Sequence, residues 1–89
     1  MTLRELLLAF LAGRYPSAYN TAALVARINA AAMLDSSVTE SAVVDELRIL
    51  ANKFGWVQGE VTQINGTIAW SATTDGVKQW HLSGQLYVG

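Results

Sequence analysis

One histidine, His81, stands in a chain of 89 residues that has no cysteine. A metal site needs several ligands, and the residues around His81 supply none, so it reads as a surface or packing residue. A Ser-His-Asp arrangement would have to recruit His81 together with a distant serine. No G-x-S-x-G elbow is present to hold such a nucleophile. Gly55, Gly59 and Gly66 do not make a phosphate loop, because neither G-x-G-x-x-G nor G-x-x-x-x-G-K-S/T occurs. The chain is therefore expected to be neither an enzyme nor a cofactor carrier. The stronger candidates are recognition residues. Arg48 and Asn52 match the base edges of guanine and adenine. They equally suit a solvated helix face, with Asp45 and Arg48 paired at i, i+3. Trp56, Trp70 and Trp80 could offer base-stacking planes, but aromatics more commonly anchor a small core.

The composition narrows the classes further. Hydrophobic residues make up 52% of the chain and charged residues 15%, against a usual charged share of about 25%. Such a chain is not disordered, and it has apolar surface to spare, which predicts self-association. The formal net charge is −1, without the basic excess of a phosphate-gripping surface. Lack of cysteine excludes disulfides and thiolate metal sites and suits a cytoplasmic protein. No run reaches the ~18 apolar residues of a membrane span. Residues 6–13, behind Arg4, are the most membrane-like piece. Their apolar core is short and Glu5 sits at its edge, so no leader is expected. The length predicts one domain over residues 1–89.

Several elements can position these residues. Thr2-Leu3-Arg4-Glu5 has capping-box spacing. Leu3, Leu6, Leu7, Phe10 and Leu11 then recur at helical intervals and predict a first helix ended by Gly13 and Pro16. Residues 15–19 read as a loop. Asn20 or Thr21 can cap a second helix over residues 22–34. Leu24, Val25, Ile28, Ala31 and Ala32 form one of its faces. The opposite face carries Ala23, Ala26, Ala30 and Leu34, with Arg27 as its only charge. A helix apolar nearly all round is normally covered on more than one side. Those four residues are therefore the expected contact with a second copy.

Asp35-Ser36-Ser37-Val38 breaks the pattern. Ser37 with Glu40 has capping-box spacing, and Thr39 competes as the cap. The third helix is predicted to run to about Phe54, with Val43, Leu47, Leu50 and Phe54 inward and Ser41, Asp45, Arg48 and Asn52 outward. Gly55 suits the left-handed terminus. The period then changes to two. Asn65-Gly66 is a strong hairpin signal, and a two-residue turn there sets Val61 opposite Trp70 and Gln63 opposite Ile68. One face of that hairpin carries Val57, Val61, Ile68 and Trp70, and the other Glu60, Thr62, Thr67 and Ser71. Thr73, Thr74 and Asp75 can begin a short last helix to about His81. A tail follows, with a candidate strand at Leu86-Tyr87-Val88.

This order resembles the winged helix-turn-helix, an α+β, mainly α, three-helix fold with a β-hairpin wing and a short C-terminal helix. The resemblance covers residues 2–80. Leu47-x-x-Leu50-x-x-x-x-Gly55-x-Val57 is similar to the end of that family's third helix and its entry into the wing. Trp70-x-x-x-Thr74-x-Gly76 is similar to the wing's exit. The resemblance implies binding of double-stranded DNA, with the third helix in the major groove. Thr39, Glu40, Ser41, Asp45, Arg48 and Asn52 would face the groove, Lys53 would touch a phosphate, and Asn65 and Gly66 would form the wing tip. This chain departs from the pattern in charge. No Lys or Arg occurs between Phe54 and Val77, and phosphate contacts are made by such cations. Two expectations stand side by side. One is a DNA-binding transcriptional regulator acting as a homodimer. The other is a protein–protein interaction module on the same scaffold.

Overall fold

The computed structural model describes residues 2–32, 34, 36–61 and 68–88, with side chains as far as Leu82. The chain order is α1 (Leu3–Arg14), β1 (Tyr19–Asn20), α2 (Thr21–Ala31), α3 (Glu40–Ile49), a π turn (Leu50–Phe54), β2 (Val57–Val61), β3 (Ile68–Ala72) and α4 (Thr74–Val88). The strands form one antiparallel sheet in the order β1-β3-β2. Helices dominate, and the fold class is the α+β arrangement expected.

Each helix begins where a side chain satisfies the orphan amides of its first turn. On α1 both halves of the capping box form: Glu5 N donates to Thr2 Oγ1 at 3.2 Å, and Thr2 N donates to Glu5 Oε1 at 3.2 Å. Leu6, Leu7 and Leu11 enter the core as their spacing requires. Leu8 is buried as well, off the predicted stripe, because α1 packs on α3, β3 and α4 and is covered from several sides. Asn20 Oδ1 accepts from Ala22 N at 2.8 Å and caps α2.

The second helix ends earlier than its alanine content suggests. Ala32 is left-handed, with φ 52° and ψ 35°, and Ala31 and Ala32 are exposed instead of inward. The cause lies in Asn29. Its Oδ1 accepts from Val38 N at 2.9 Å, and its Nδ2 donates to Val38 O at 3.2 Å. This pair of bonds draws the following chain back across the last turn of α2. Thr39, not Ser37, then caps α3, accepting from Ala42 N at 3.1 Å.

Along α3, Val43, Leu47 and Leu50 are wholly buried. The helix widens into the π turn before Gly55 (φ 69°), whose N–H donates to Leu50 O, closes it. Half-buried Phe54 stacks on Trp56, with ring centroids 4.5 Å apart.

The sheet corrects the sequence reading at three points. β1, at the junction between the segment read as a loop and the cap of the second helix, is too short to show alternation, yet it pairs Tyr19 with Trp70. Second, the wing register places Val61 opposite Ile68 and Gly59 opposite Trp70, not Val61 opposite Trp70 and Gln63 opposite Ile68. Packing decides this. A Cβ on residue 59 would lie 2.7 Å from the Trp70 ring, so the indole needs glycine beneath it, and a valine there would take its space. The slip is by two residues, so every side chain keeps its face. Third, Val57, Trp70 and Ala72 are buried, but Val61 is 65% exposed, although the hairpin pattern placed it on the covered face. Thr62, Gln63, Thr67 and the Asn65-Gly66 turn lie outside the described residues.

Trp70 also carries a polar link. Its Nε1 donates to Thr21 Oγ1 at 3.0 Å, and Thr21 Oγ1 donates to Ile68 O at 2.7 Å. The start of α2 is thereby tied to the central strand. Beyond β3, α4 continues to Val88 where a tail and strand at Leu86-Tyr87-Val88 were expected. Thr73 nucleates it: Oγ1 accepts from Gly76 N at 3.1 Å and donates to Gly55 O at 2.7 Å. Once a first turn is fixed, each further residue adds a bond. Gly76 must be glycine, since a Cβ there would collide with the Trp56 carbonyl oxygen.

Two substitutions check this packing. Gly59→Ala should cost about 1–3 kcal/mol, the range for overpacking, while Gly13→Ala, in open space on α1, should be neutral or stabilising by up to about 1 kcal/mol. Equal melting temperatures for the two variants would contradict the Trp70–Gly59 contact. Thr21→Val keeps the shape of the side chain and removes its hydroxyl. It should cost about 1–3 kcal/mol in chemical denaturation, because the indole N–H is left without a partner.

Candidate functional site

The inward face of α3 fixes what its outward face presents. Leu47 and Leu50 are 0% exposed, so the opposite side of the helix must face solvent. Thr39, Glu40, Ser41, Asp45, Arg48, Asn52 and Lys53 are all exposed. Glu40, Ser41, Asp45 and Arg48 lie on α3, while Asn52 and Lys53 fall on the π turn. That wider turn changes the helical phase, so Asn52 does not continue the Arg48 row at α-helical spacing. The Thr39 hydroxyl is committed to the cap. Asn65 and Gly66 lie outside the described residues.

The charge distribution around this face is sparse. Arg4 forks onto Glu46, with Nε 3.3 Å from Oε1 and Nη2 3.5 Å from Oε2, and its guanidinium lies 5.3 Å from the Phe54 ring centroid. Arg4 and Glu46 thus form an ion pair; the Asp45–Arg48 pair anticipated from spacing does not form. Arg14 sits 4.6 Å from the Tyr19 ring centroid and Lys53 Nζ 5.8 Å from that of Phe54. Arg48 is thus the cation on the outward face of α3 itself, in its last turn.

The turn that sets α3 against α2 is held by the Asn29–Val38 bracket. Beside it opens a cleft of about 230 Å³ lined by Ile28, Asn29, Ala32, Leu34, Ser36 and Ser37. Sequence reasoning missed both Asn29 and Arg4. The available signal was a polar side chain at the end of an alanine-rich helix, and an arginine beside an apolar stripe. On α2, Ala23, Ala26 and Ala30 are exposed as expected. Leu34 is not part of that face. It lies past the end of the helix, half-buried against the core, because α2 stops at Ala31.

Among the described residues no three His, Cys, Asp or Glu side chains come together as metal ligands, and His81 is exposed. Trp56 and Trp80 are half-buried and Trp70 is buried. No helix among the described residues is long and apolar enough to cross a membrane.

No family model matches this sequence, and no curated protein does. Solved structures do. A double mutant of ZitR from Lactococcus lactis superposes with a TM-score of 0.71 over 96% of this chain and 51% of that one, at 15% identity. Its apo form gives the same TM-score over 56% of its own chain. The chain has the winged-helix fold. At 15% identity the likeness is one of fold, and the chain spans about half the length of the ZitR chains it matches. In this frame α3 is the winged helix's third helix and β2–β3 is its wing.

The phase of α3 is directly testable. Leu47→Ala should cost about 2–5 kcal/mol, whereas Asp45→Ala should stay within roughly 0.5 kcal/mol. Similar costs at the two positions would refute it. Asn29→Ala should cost about 1–3 kcal/mol, since two backbone groups of Val38 lose their partner. Unaltered amide exchange at Val38 in that variant would contradict the bracket.

Proposed function

We propose that this chain is a non-catalytic binding module of a DNA-binding regulator, with the outward face of α3 as its recognition surface. The observation that carries the reading is that Val43 and Leu47 of α3 are wholly buried while Ser41, Asp45 and Arg48 are exposed, beside Ala42 and Ile49, in a winged helix. Ser41, Asp45 and Arg48, with Asn52 beyond, can reach base edges if α3 enters a major groove. Arg48 is the base reader, because a guanidinium recognises guanine through two hydrogen bonds. Lys53 at most touches a phosphate.

The electrostatics make such binding weak for one copy. Glu40 and Asp45 share the face with Arg48, and each neutralised phosphate requires a cation. Two copies double the contacts, so the module acts as a dimer. A second reading has its own support: β2 and the described part of β3 bear no Lys or Arg, and Glu60 is their one charge. On that reading α3 and the wing face a protein partner.

Fluorescence anisotropy with a random duplex library at about 50 mM salt separates the two, because phosphate contacts are strong there. The DNA reading predicts binding with a shallow salt slope. Arg48→Ala should cost about 1–3 kcal/mol and relax sequence preference, and Lys53→Ala should weaken all sequences alike. No binding at low salt by the dimeric protein would end the DNA reading and leave the protein-facing one.

A further inference from the structure

The exposed side of α3 divides into two rows of different chemistry. Residues 40–49 form a regular α-helix, in which seven residues make about two turns. Ser41 and Arg48 therefore share one side of the exposed face, and Ala42 and Ile49 share the other. Asp45 lies between the two rows, and all five residues are exposed. The apolar row ends on a large side chain. Ile49 is 39% exposed, although Leu47 and Leu50 on either side of it are wholly buried. A single exposed aliphatic residue means little by itself. Its place decides here, because it stands in the last turn of α3 beside Arg48, on the face that would enter the groove.

We infer that Ile49, at the end of the row that begins with Ala42, reads the methyl group of thymine, so that the preferred duplex carries thymine near the guanine contacted by Arg48. The inference rests on the DNA reading above and names what that site prefers. Base-pair edges in the major groove present donors, acceptors and one apolar group, the C5-methyl of thymine. An isoleucine side chain can neither donate nor accept. Set against the amino or carbonyl edge of another base, it would displace water and return no hydrogen bond. Set against the thymine methyl, both groups leave water and gain. Phosphates offer Ile49 nothing. Asp45 points the same way, since a carboxylate is repelled by phosphates and is accommodated in the groove by the amino group of cytosine. This part of α3 is therefore suited to base edges more than to the backbone. Arg48 and Ile49 are adjacent in the chain and project about 100° apart around the helix axis, so the two reach different edges.

Duplexes enriched by the protein from a random library at about 50 mM salt, where phosphate contacts are strong, are resynthesised with deoxyuridine in place of thymidine. The exchange keeps base pairing and removes only the methyl groups. Anisotropy should show the uracil forms bound more weakly, by about fourfold for each methyl contacted. This comparison uses the unaltered protein and does not depend on any variant folding. Ile49→Ala, its fold checked by circular dichroism, should bind the thymine form less tightly and bring the ratio of the two forms toward one. Ile49→Val keeps a branched aliphatic side chain and should retain most of the ratio. Arg48→Ala should weaken both forms and leave the ratio in place. Equal binding of the two forms by the unaltered protein would overturn the methyl contact and leave the DNA reading standing. A thymine preference undiminished in Ile49→Ala would overturn the role of Ile49. Failure to enrich or bind any duplex would end both readings.

Discussion

The seat of Trp70 is the constraint on which the rest of the wing depends. A large apolar ring with one polar edge must be buried and must still place its N–H. The chain meets both demands at once. Gly59 lies opposite and leaves room for the ring, while Thr21 takes the N–H and passes a hydrogen bond to the Ile68 carbonyl. Three elements are fixed by this one side chain: β2 in register, β3 at the centre, and the start of α2. Through α2, the same contact bears on the turn that sets the pose of α3.

That turn depends on an equally local device. Asn29 gives both ends of its amide to Val38, and Thr39 opens α3 one residue later. At the far end of α3, the Arg4–Glu46 fork and the Phe54–Trp56 stack join the helix to α1 and to the wing. The outward face of α3 is held at both ends and built on a wholly buried stripe. A surface so held loses little entropy on meeting a partner, which favours recognition by few contacts. On the proposed DNA reading the face needs that economy, because Arg48 and Lys53 are accompanied by Glu40 and Asp45.

Much of the fold was legible, and the reasons are specific. The capping box at Thr2 and Glu5, the apolar rows of α1 and α3, and Gly55 are local signals that tertiary structure did not override. The exposed polar row of α3 follows from the same periodicity. What was missed depends on partners distant in sequence. The wing register could not be read from Asn65-Gly66, because it follows from the shape of Trp70 against Gly59. The end of α2 is set by Asn29 reaching nine residues ahead, so Leu34 was placed on a helix it does not join. β1 is too short to carry a pattern, and the start of α4 is fixed by the Thr73 contacts with Gly55 and Gly76. Arg4 was read only as the charge ahead of the apolar run of residues 6–13, because nothing nearby in sequence points to Glu46.

The proposed contact between the outward face of α3 and DNA is tested most directly by amide chemical-shift mapping. A short duplex of mixed sequence is titrated into the isotopically labelled protein at low salt. The expected result is a set of shifts concentrated at Ser41, Asp45, Arg48 and Asn52, with the buried positions Val43 and Leu47 changing far less. Absence of any shift at saturating duplex, or shifts confined to α2 or α4, would contradict it.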